Sequence, residues 1–539
     1  MTEPKTSKVP CDFITRFSMM ADRTREPSGH GGVDVLEDRQ STDPSSHRVF
    51  RPLILSVAFT AGWTVMMLEM LGARQLAPYF GYSIYQWGAL IGVVLACMAC
   101  GYWIGACLGD RRNALKLLWW SLVGAFLWTT FTPALSSVVG SNASLFGPVW
   151  GAVAASFVLL APPVVLLAVV SPISASLAAR GGIAYTAGSV YMISTIGSIG
   201  GTFFTSFYSI PEIGTNLSYT ISAALQLFAI LGVSWTALRL SIIPILALVG
   251  AACFWWSAKH GDAAIYNTES VHNIIKVVDT DDDRSLYLNM MTRPQTRWPK
   301  IGIITKEYYD DFLLGPKINE GRRVLFLGIG GGTALRQMTA VWPDISVLGV
   351  ELDPLVIDVA RRYFSLDHER RIKLLTADAR WFIDHNLETF DVAAVDLFYG
   401  GFMPFYCATT EFFNALSRRL SSRGILIMNV ASPEPGDDLI GPMARTVHTA
   451  FPSVFVIDRK NIILIASKEN LSEDELRSRL AKPGNDILES IAADALTDLR
   501  VIDDHNWPVL TDDRSDLEFR SFHMVAKFIT GSPAVNLGQ

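Results

Sequence analysis

Long apolar runs fill the first half of the chain, and short alternating ones fill the second. From Leu53 onward, stretches of about 20 mainly apolar residues recur, the length a helix needs to cross a bilayer. Seven can be marked, near 53–73, 85–108, 115–135, 149–171, 185–209, 217–237 and 241–257. Polar segments such as "GDRRNALK", "VVGSNASLFG" and "PEIGTN" separate them, and only Arg239 separates the last two, which predicts a tight helical hairpin. Gly101, Gly105 and Gly109 recur at four-residue spacing, as do Gly197 and Gly201, a pattern that lets helix backbones approach closely. Pro162-Pro163 is expected to break the fourth span. Glu69 stands deep in the first span, where a charge is costly. A structural pairing with Arg74 is expected for it, and a transport or lipid-headgroup role is the alternative.

After Asp262 the pattern becomes that of a soluble α/β region. "SVHNIIKVVD", the acidic turn Asp281-Asp282-Asp283 and "SLYLNMM" predict a β-hairpin standing apart from the main sheet. From Arg323 strand and helix alternate: "RRVLFLG", "TALRQMTAVW", "ISVLGVELD", "PLVIDVARRYF", "IKLLTAD", "ARWFIDH", "FDVAAVDLF" and "GILIMNV". "VFVIDRKNIILIAS" predicts a closing antiparallel pair. The expected fold class is therefore an α-helical transmembrane domain of about seven spans, then a small β domain, then an α/β Rossmann-like domain. The expected limits are a disordered polar tail over 1–50, the membrane domain over 51–258, the β-hairpin domain over 262–300 and the nucleoside-binding domain over 301–535.

Composition sharpens this picture. Hydrophobic residues make up 50% of the 539 and charged residues 18%, more apolar than an average soluble protein. A net charge of −6 gives no basic footprint for nucleic acid. The six cysteines show neither a disulfide framework nor zinc spacing, and Cys97 and Cys100 are expected to be packing residues in a helix. No metal site is expected. Arg111, Arg112 and Lys116 follow the second span, Arg180 the fourth and Arg239 the sixth. By the positive-inside rule these loops face the cytoplasm, and seven spans would leave the C-terminal half outside. A cytosolic cofactor argues for the opposite side, so the sequence leaves the side open within a multi-pass cell-membrane location.

The candidate chemistry lies at strand ends. Gly328, Gly330 and Gly332 form GxGxG, a turn suited to one nucleoside rather than a dinucleotide. Glu351 ends the next strand, where an acid can hold ribose hydroxyls. Asp378, followed by Ala379, is placed to accept from an adenine amino group, although it also fits a helix N-cap. Asp396 ends the fourth strand in "AVDLF".

These stretches carry a resemblance. "VLFLGIGGGTALRQM", "VLGVELDPLVIDVARRYF", "LLTADARWFI" and "FDVAAVDLF" stand in the order and spacing of the spermidine synthase family, the polyamine aminopropyltransferases, over residues about 265–530. The whole chain resembles a bacterial subgroup with a multi-span membrane region ahead of such a domain, at "LEMLGARQLAPYFG" and "YMISTIGSIGGTFFTSF". The resemblance implies a methyltransferase-type Rossmann-like fold, usually a homodimer through the soluble domain. It implies transfer of an aminopropyl group from decarboxylated S-adenosylmethionine to an amine such as putrescine, with no prosthetic group. Glu351 falls on the family's ribose-binding acid, Asp378 on its adenine-side acid and Asp396 on the first acid of its catalytic DxxD. The family's acid in the glycine loop is replaced by Gly331, and the second acid of DxxD by Tyr399. The family's YHE becomes Tyr308-Tyr309-Asp310, and Gln295 matches a family glutamine with a two-residue shift. Asp396 is the expected catalytic base, and Asp310, Tyr399 and Gln295 the expected amine-side residues.

Two further readings stay open. The glycine loop, Glu351 and Asp378 would serve an S-adenosylmethionine-dependent methyltransferase equally well. A membrane transporter with a nucleoside- or polyamine-sensing domain would account for the missing second acid. Residues 401–413 are expected to gate the site. Trp381 and Phe382 are expected in the core, and His368 and His385 at the surface.

Overall fold

In the computed structural model the described residues are 44–81, 83–109, 111–178, 183–235, 264–289, 294–398, 403–430, 439–459, 461–502 and 504–521. Residues 1–43 of the polar tail, the seventh apolar stretch and Tyr399 lie outside them, and the tail's last residues, expected to be disordered, belong to the first helix.

The first half is helical: α1 Pro44–Phe80, α2 Ile84–Gly109, α3 Ala114–Ala143, α4 Pro148–Ala178, α5 Ile183–Phe204 and α6 Thr215–Val233. Among the described residues, five helices are long and apolar enough to cross a membrane: Arg51–Phe80, Ile84–Gly109, Ala114–Phe146, Val149–Ala178 and Thr215–Val233. The small-residue stripes do what their spacing predicts. A Cβ on Gly101 would stand 2.5 Å from the Val165 carbonyl oxygen of α4, and one on Gly197 would stand 2.2 Å from the Phe59 carbonyl oxygen of α1.

Two expectations for this region fail. The Pro162-Pro163 pair does not break α4, which runs unbroken through both. Pro163 cannot donate to the Leu159 carbonyl one turn back. The Trp128 indole N–H of α3 takes that carbonyl at 3.0 Å, so the helix continues. Nor does Glu69 pair with Arg74, whose guanidinium reaches Glu269 of the soluble region instead.

Beyond the helices stands a four-stranded antiparallel sheet in the order β1 Ala264–Glu269, β2 Ile274–Asp279, β3 Asp283–Leu288, β4 Thr296–Pro299. The expected hairpin is its inner pair, and β1 and β4 flank it. Its buried face (Ile275, Val277, Leu286, Leu288) packs on Val356, Val359 and Phe364 of the following domain.

That domain has eight strands in the order β12-β10-β11-β9-β8-β5-β6-β7. They are β5 Arg323–Leu327, β6 Ser346–Glu351, β7 Ile372–Thr376, β8 Phe390–Val395, β9 Leu420–Asn429, β10 Ser453–Asp458, β11 Ile462–Ser467 and β12 Leu499–Val501. β5 to β9 run parallel, and β10 to β12 pair antiparallel at one side. Side chains alternate across a strand. Val324 and Phe326 of β5 therefore face one core and Leu325 and Leu327 the other. Helices cover both faces, as a mostly parallel sheet requires. The chain moves from β5 outward to β7, then returns to β8 on the other flank of β5. This reversal opens a crevice at the carboxyl ends of the strands, the usual ligand position in such sheets.

Candidate active site

Register lines up the site. Leu327 pairs with Val350 and with Val395, Glu351 with Thr376, and Val395 with Met428. The residues just past these pairs, Gly328, Glu351, Asp378, Asp396 and Asn429, consequently stand along one edge of the sheet. A cavity with about 710 Å³ of unfilled space, mouth included, opens there. Of the residues assigned to a site from the sequence, Gly328, Gly330, Glu351, Asp378, Ala379, Asp396 and Gln295 line it, and Gly332 does not. His272, Asn273 and Tyr406 line it as well.

The glycine loop is shaped by neighbours on both sides. Gly328 has φ +82°, and a Cβ there would stand 2.2 Å from the Asp396 carbonyl oxygen. Gly331 lies against β4: its N–H donates to Thr296 Oγ1 at 2.8 Å, and a Cβ would meet Thr296 Cγ2 at 2.6 Å. Thr296 thus fills the space that an acidic side chain at Gly331 would need.

On one side of the cavity, Glu351 accepts the Ile329 N–H (3.1 Å) and the Asp353 N–H (3.1 Å). Burial raises its pKa, and these backbone donors pull it back down. Asp378 does cap helix α7 (Ala379–His385), accepting the Trp381 N–H at 2.9 Å, and its other oxygen accepts the Tyr406 hydroxyl at 3.1 Å. The cap and the cavity role coexist because a carboxylate has two oxygens to offer.

On the other side, Asp396 Oδ1 accepts Asn429 Nδ2 (2.9 Å) and Oδ2 accepts the Tyr308 hydroxyl (3.0 Å). Asn461 donates in turn to Asn429 Oδ1 at 3.1 Å, which fixes the amide orientation. Burial pushes the Asp396 carboxyl up to about 6, against the lowering effect of the two hydrogen bonds. A carboxylate with a pKa in that range is largely ionised at neutral pH yet basic enough to accept a proton.

Asp310 is not brought to this cavity. It is 5% exposed, and its oxygens accept from the Thr305 N–H and hydroxyl, the Lys306 N–H and Gln337 Nε2. Its carboxylate ties the loop ahead of the 3₁₀ turn Tyr308–Leu313, and Tyr308 of that turn reaches Asp396 instead. Trp381 is 56% exposed and stacks on His385, so it is not a core residue, whereas Phe382 is buried. Pro404, Tyr406 and Cys407 bring part of the expected gate to the cavity.

Sequence reasoning missed His272, Asn273 and Asn429. A signal existed for Asn429, a polar residue ending the apolar run "GILIMNV". None existed for His272 and Asn273, which reach the cavity from the separate four-stranded sheet. Burial lowers the His272 pKa, Asp353 opposes that and Arg74 reinforces it.

Residues 313–458 match the spermine/spermidine synthase domain. The chain is 26% identical over 288 residues to the "Probable polyamine aminopropyl transferase" of Bifidobacterium longum, covering 49% of this chain and 64% of that protein. It therefore spans slightly less than two thirds of that relative. It is 29% identical over 204 residues to the polyamine aminopropyltransferase of Vibrio vulnificus, covering 36% of this chain and 68% of that one. The crystal structure of spermidine synthase from Thermotoga maritima aligns over 43% of this chain and 84% of that chain, at 19% identity and a TM-score of 0.37. Residues 313–458 accordingly match a spermine/spermidine synthase domain, behind a helical N-terminal region.

Proposed function

We propose that this chain is an aminopropyltransferase, moving the aminopropyl group of decarboxylated S-adenosylmethionine to a small amine such as putrescine, with methylthioadenosine released. The observation that carries the reading is Asp396, held by Tyr308 and Asn429 in the same cavity as Glu351 and Asp378. In this reading Glu351 holds the donor's ribose and Asp378 its adenine.

The reaction is a displacement at the methylene carbon beside the sulfonium. The amine lone pair forms the new C–N bond, the C–S bond breaks and its electron pair stays on sulfur as a neutral thioether. An alkyl amine resembles lysine, with a pKa of about 10.4, and arrives protonated. Asp396 binds the ammonium by a charge-assisted contact and takes its proton, help worth about 10²–10⁴-fold. Tyr308 and Asn429 keep the carboxylate aimed. Gln295 borders the glycine loop and is assigned to the amine side.

The test uses the full chain with putrescine and each donor in turn. Methylthioadenosine formed from the decarboxylated donor and consumed amine is the expected result. S-adenosylhomocysteine formed from S-adenosylmethionine would move the assignment to a methyltransferase. A bound nucleoside with neither product would favour a sensing domain on a transporter.

The side of the membrane belongs to the same proposal. Three contacts tie the soluble region to one end of the helices: Arg74 to Glu269, the Thr215 N–H to Glu269, and the Ile84 N–H to Glu518. Helix α2 runs about 39 Å from Ile84, at 1.5 Å per residue over its 26 residues. Arg111, Arg112 and Lys116 follow its far end. The basic loops face the cytoplasm, so the soluble domain is assigned to the opposite face. Protease added to intact cells should then cleave the soluble domain, and full protection until lysis would reverse the assignment.

A further inference from the structure

We infer that Arg74, a residue of the first apolar helix, is a positioning residue for the nucleoside side of the cavity, so that the helical region is part of the binding site. This rests on the reading of the cavity as a nucleoside site. Arg74 is 7% exposed at the carboxyl-terminal part of α1. Each of its three nitrogens reaches residues 269–272, at the turn between β1 and β2. Nη1 donates to the Val271 carbonyl (2.7 Å) and the His272 carbonyl (3.1 Å), Nη2 to the Ser270 carbonyl (2.5 Å), and Nε stands 3.5 Å from the Glu269 carboxylate. A guanidinium can hold a turn in this way because its donors lie in a rigid plane. Glu269 also accepts the Thr215 N–H (3.1 Å) and the Thr215 hydroxyl, so the start of α6 is joined to the same knot.

The turn that Arg74 grips leads directly into the cavity. His272 and Asn273 line it. Ser270 Oγ donates to Asp353 Oδ2 at 2.5 Å, and Asn273 Nδ2 donates to the same oxygen at 2.8 Å. Asp353 is fully buried, and its N–H donates to Glu351 Oε1 at 3.1 Å. A continuous run of hydrogen bonds therefore joins the helix to the carboxylate assigned to the ribose: Arg74, Ser270, Asp353, Glu351. Every link is buried or partly buried, where a lost partner is most costly. Release of the turn would free both the cavity wall at His272 and the backbone that orients Glu351. None of these links touches Asp396, so the amine side should be spared.

The experiment compares the full wild-type chain with Arg74→Ala and Arg74→Lys, with methylthioadenosine as the binding probe in equilibrium dialysis. Loss of one buried charged set of hydrogen bonds corresponds to a roughly tenfold rise in Kd for Arg74→Ala. Arg74→Lys should fall between, because a lysine cannot reach three carbonyls at once. In the transfer assay the donor KM should rise with Kd while kcat at saturating donor changes little. A lower melting temperature with unchanged Kd would reduce Arg74 to a structural role and overturn the inference. If Arg74→Ala fails to fold, Glu269→Gln, which keeps the shape and drops the charge, must still raise Kd, and an unchanged value is equally fatal. Wild-type chain that fails to bind methylthioadenosine would defeat the nucleoside reading itself. Wild-type chain that binds but transfers nothing would defeat only the transfer reaction.

Discussion

Glycine does different work in the two halves of this molecule. In the helical region Gly101, Gly105 and Gly197 lie against the backbone of a neighbouring helix. Nothing but close packing follows from their absent side chains. In the α/β domain Gly328 and Gly331 let a loop press between β8 and β4 while its turn borders a cavity edged with carboxylates. The helical half uses the missing side chain to pack helix on helix, and the α/β half uses it to seat a loop against Asp396 and Thr296 at the rim of the cavity. The lesson is that packing at these helix glycines and chemistry at the site are separable: substitutions that wreck the one should differ in kind from those that silence the other.

The sharpest test of that separation is Asp396→Asn. The amide keeps both hydrogen bonds, accepting from Asn429 and donating to the Tyr308 oxygen, but it cannot take a proton. The transfer rate should fall about 10²–10⁴-fold. The wild-type rate should rise about tenfold per pH unit up to about 6, where Asp396 ionises, and this limb should vanish in the variant. The stability effect has the opposite sense. A carboxyl whose folded pKa is raised contributes stability below its unfolded pKa and loses it as pH rises through about 6. At pH 8 the variant should therefore melt at or above the wild-type temperature. A variant that keeps its activity, or one that loses activity only because it unfolds, would break the comparison.

A smaller effect of the other kind is expected from Gly101→Ala. The added methyl would stand 2.5 Å from both Ala168 Cβ and the Val165 carbonyl oxygen, so the two helices must part slightly. Overpacking of this sort costs about 1–3 kcal/mol. Detergent-solubilised protein should melt earlier, while its kcat at a temperature where it is folded stays that of the wild type. A fall in kcat without a fall in melting temperature would mean that helix packing tunes the site, and the separation would be lost.

Much of the architecture is legible in the sequence. Apolar length marked the helices, and the parallel strands followed from short apolar runs ending in acids. The departures have local causes. The proline pair looked like a break because a sequence does not show the Trp128 indole waiting beside the Leu159 carbonyl. Asp310 looked like a ligand because its neighbours matched a motif, and the loop at Thr305 and Lys306 claimed its oxygens first. β4 went unseen because four residues are too few for a period to register, and β1 because none of its six residues is fully buried.

The sequence by itself determined which groups could do chemistry here: three carboxylates at successive strand ends, a glycine turn ahead of them and a run of helices long enough for a bilayer. These are matters of composition and short-range order, and they survive without a fold. Only the tertiary structure decided how those groups are held and by whom. Tyr308 and Asn429 on Asp396, Thr296 against Gly331, and Arg74 on the turn that carries His272 join residues from 33 to 198 positions apart. Contacts of that separation depend on register and packing between elements, and no local pattern along the chain encodes them.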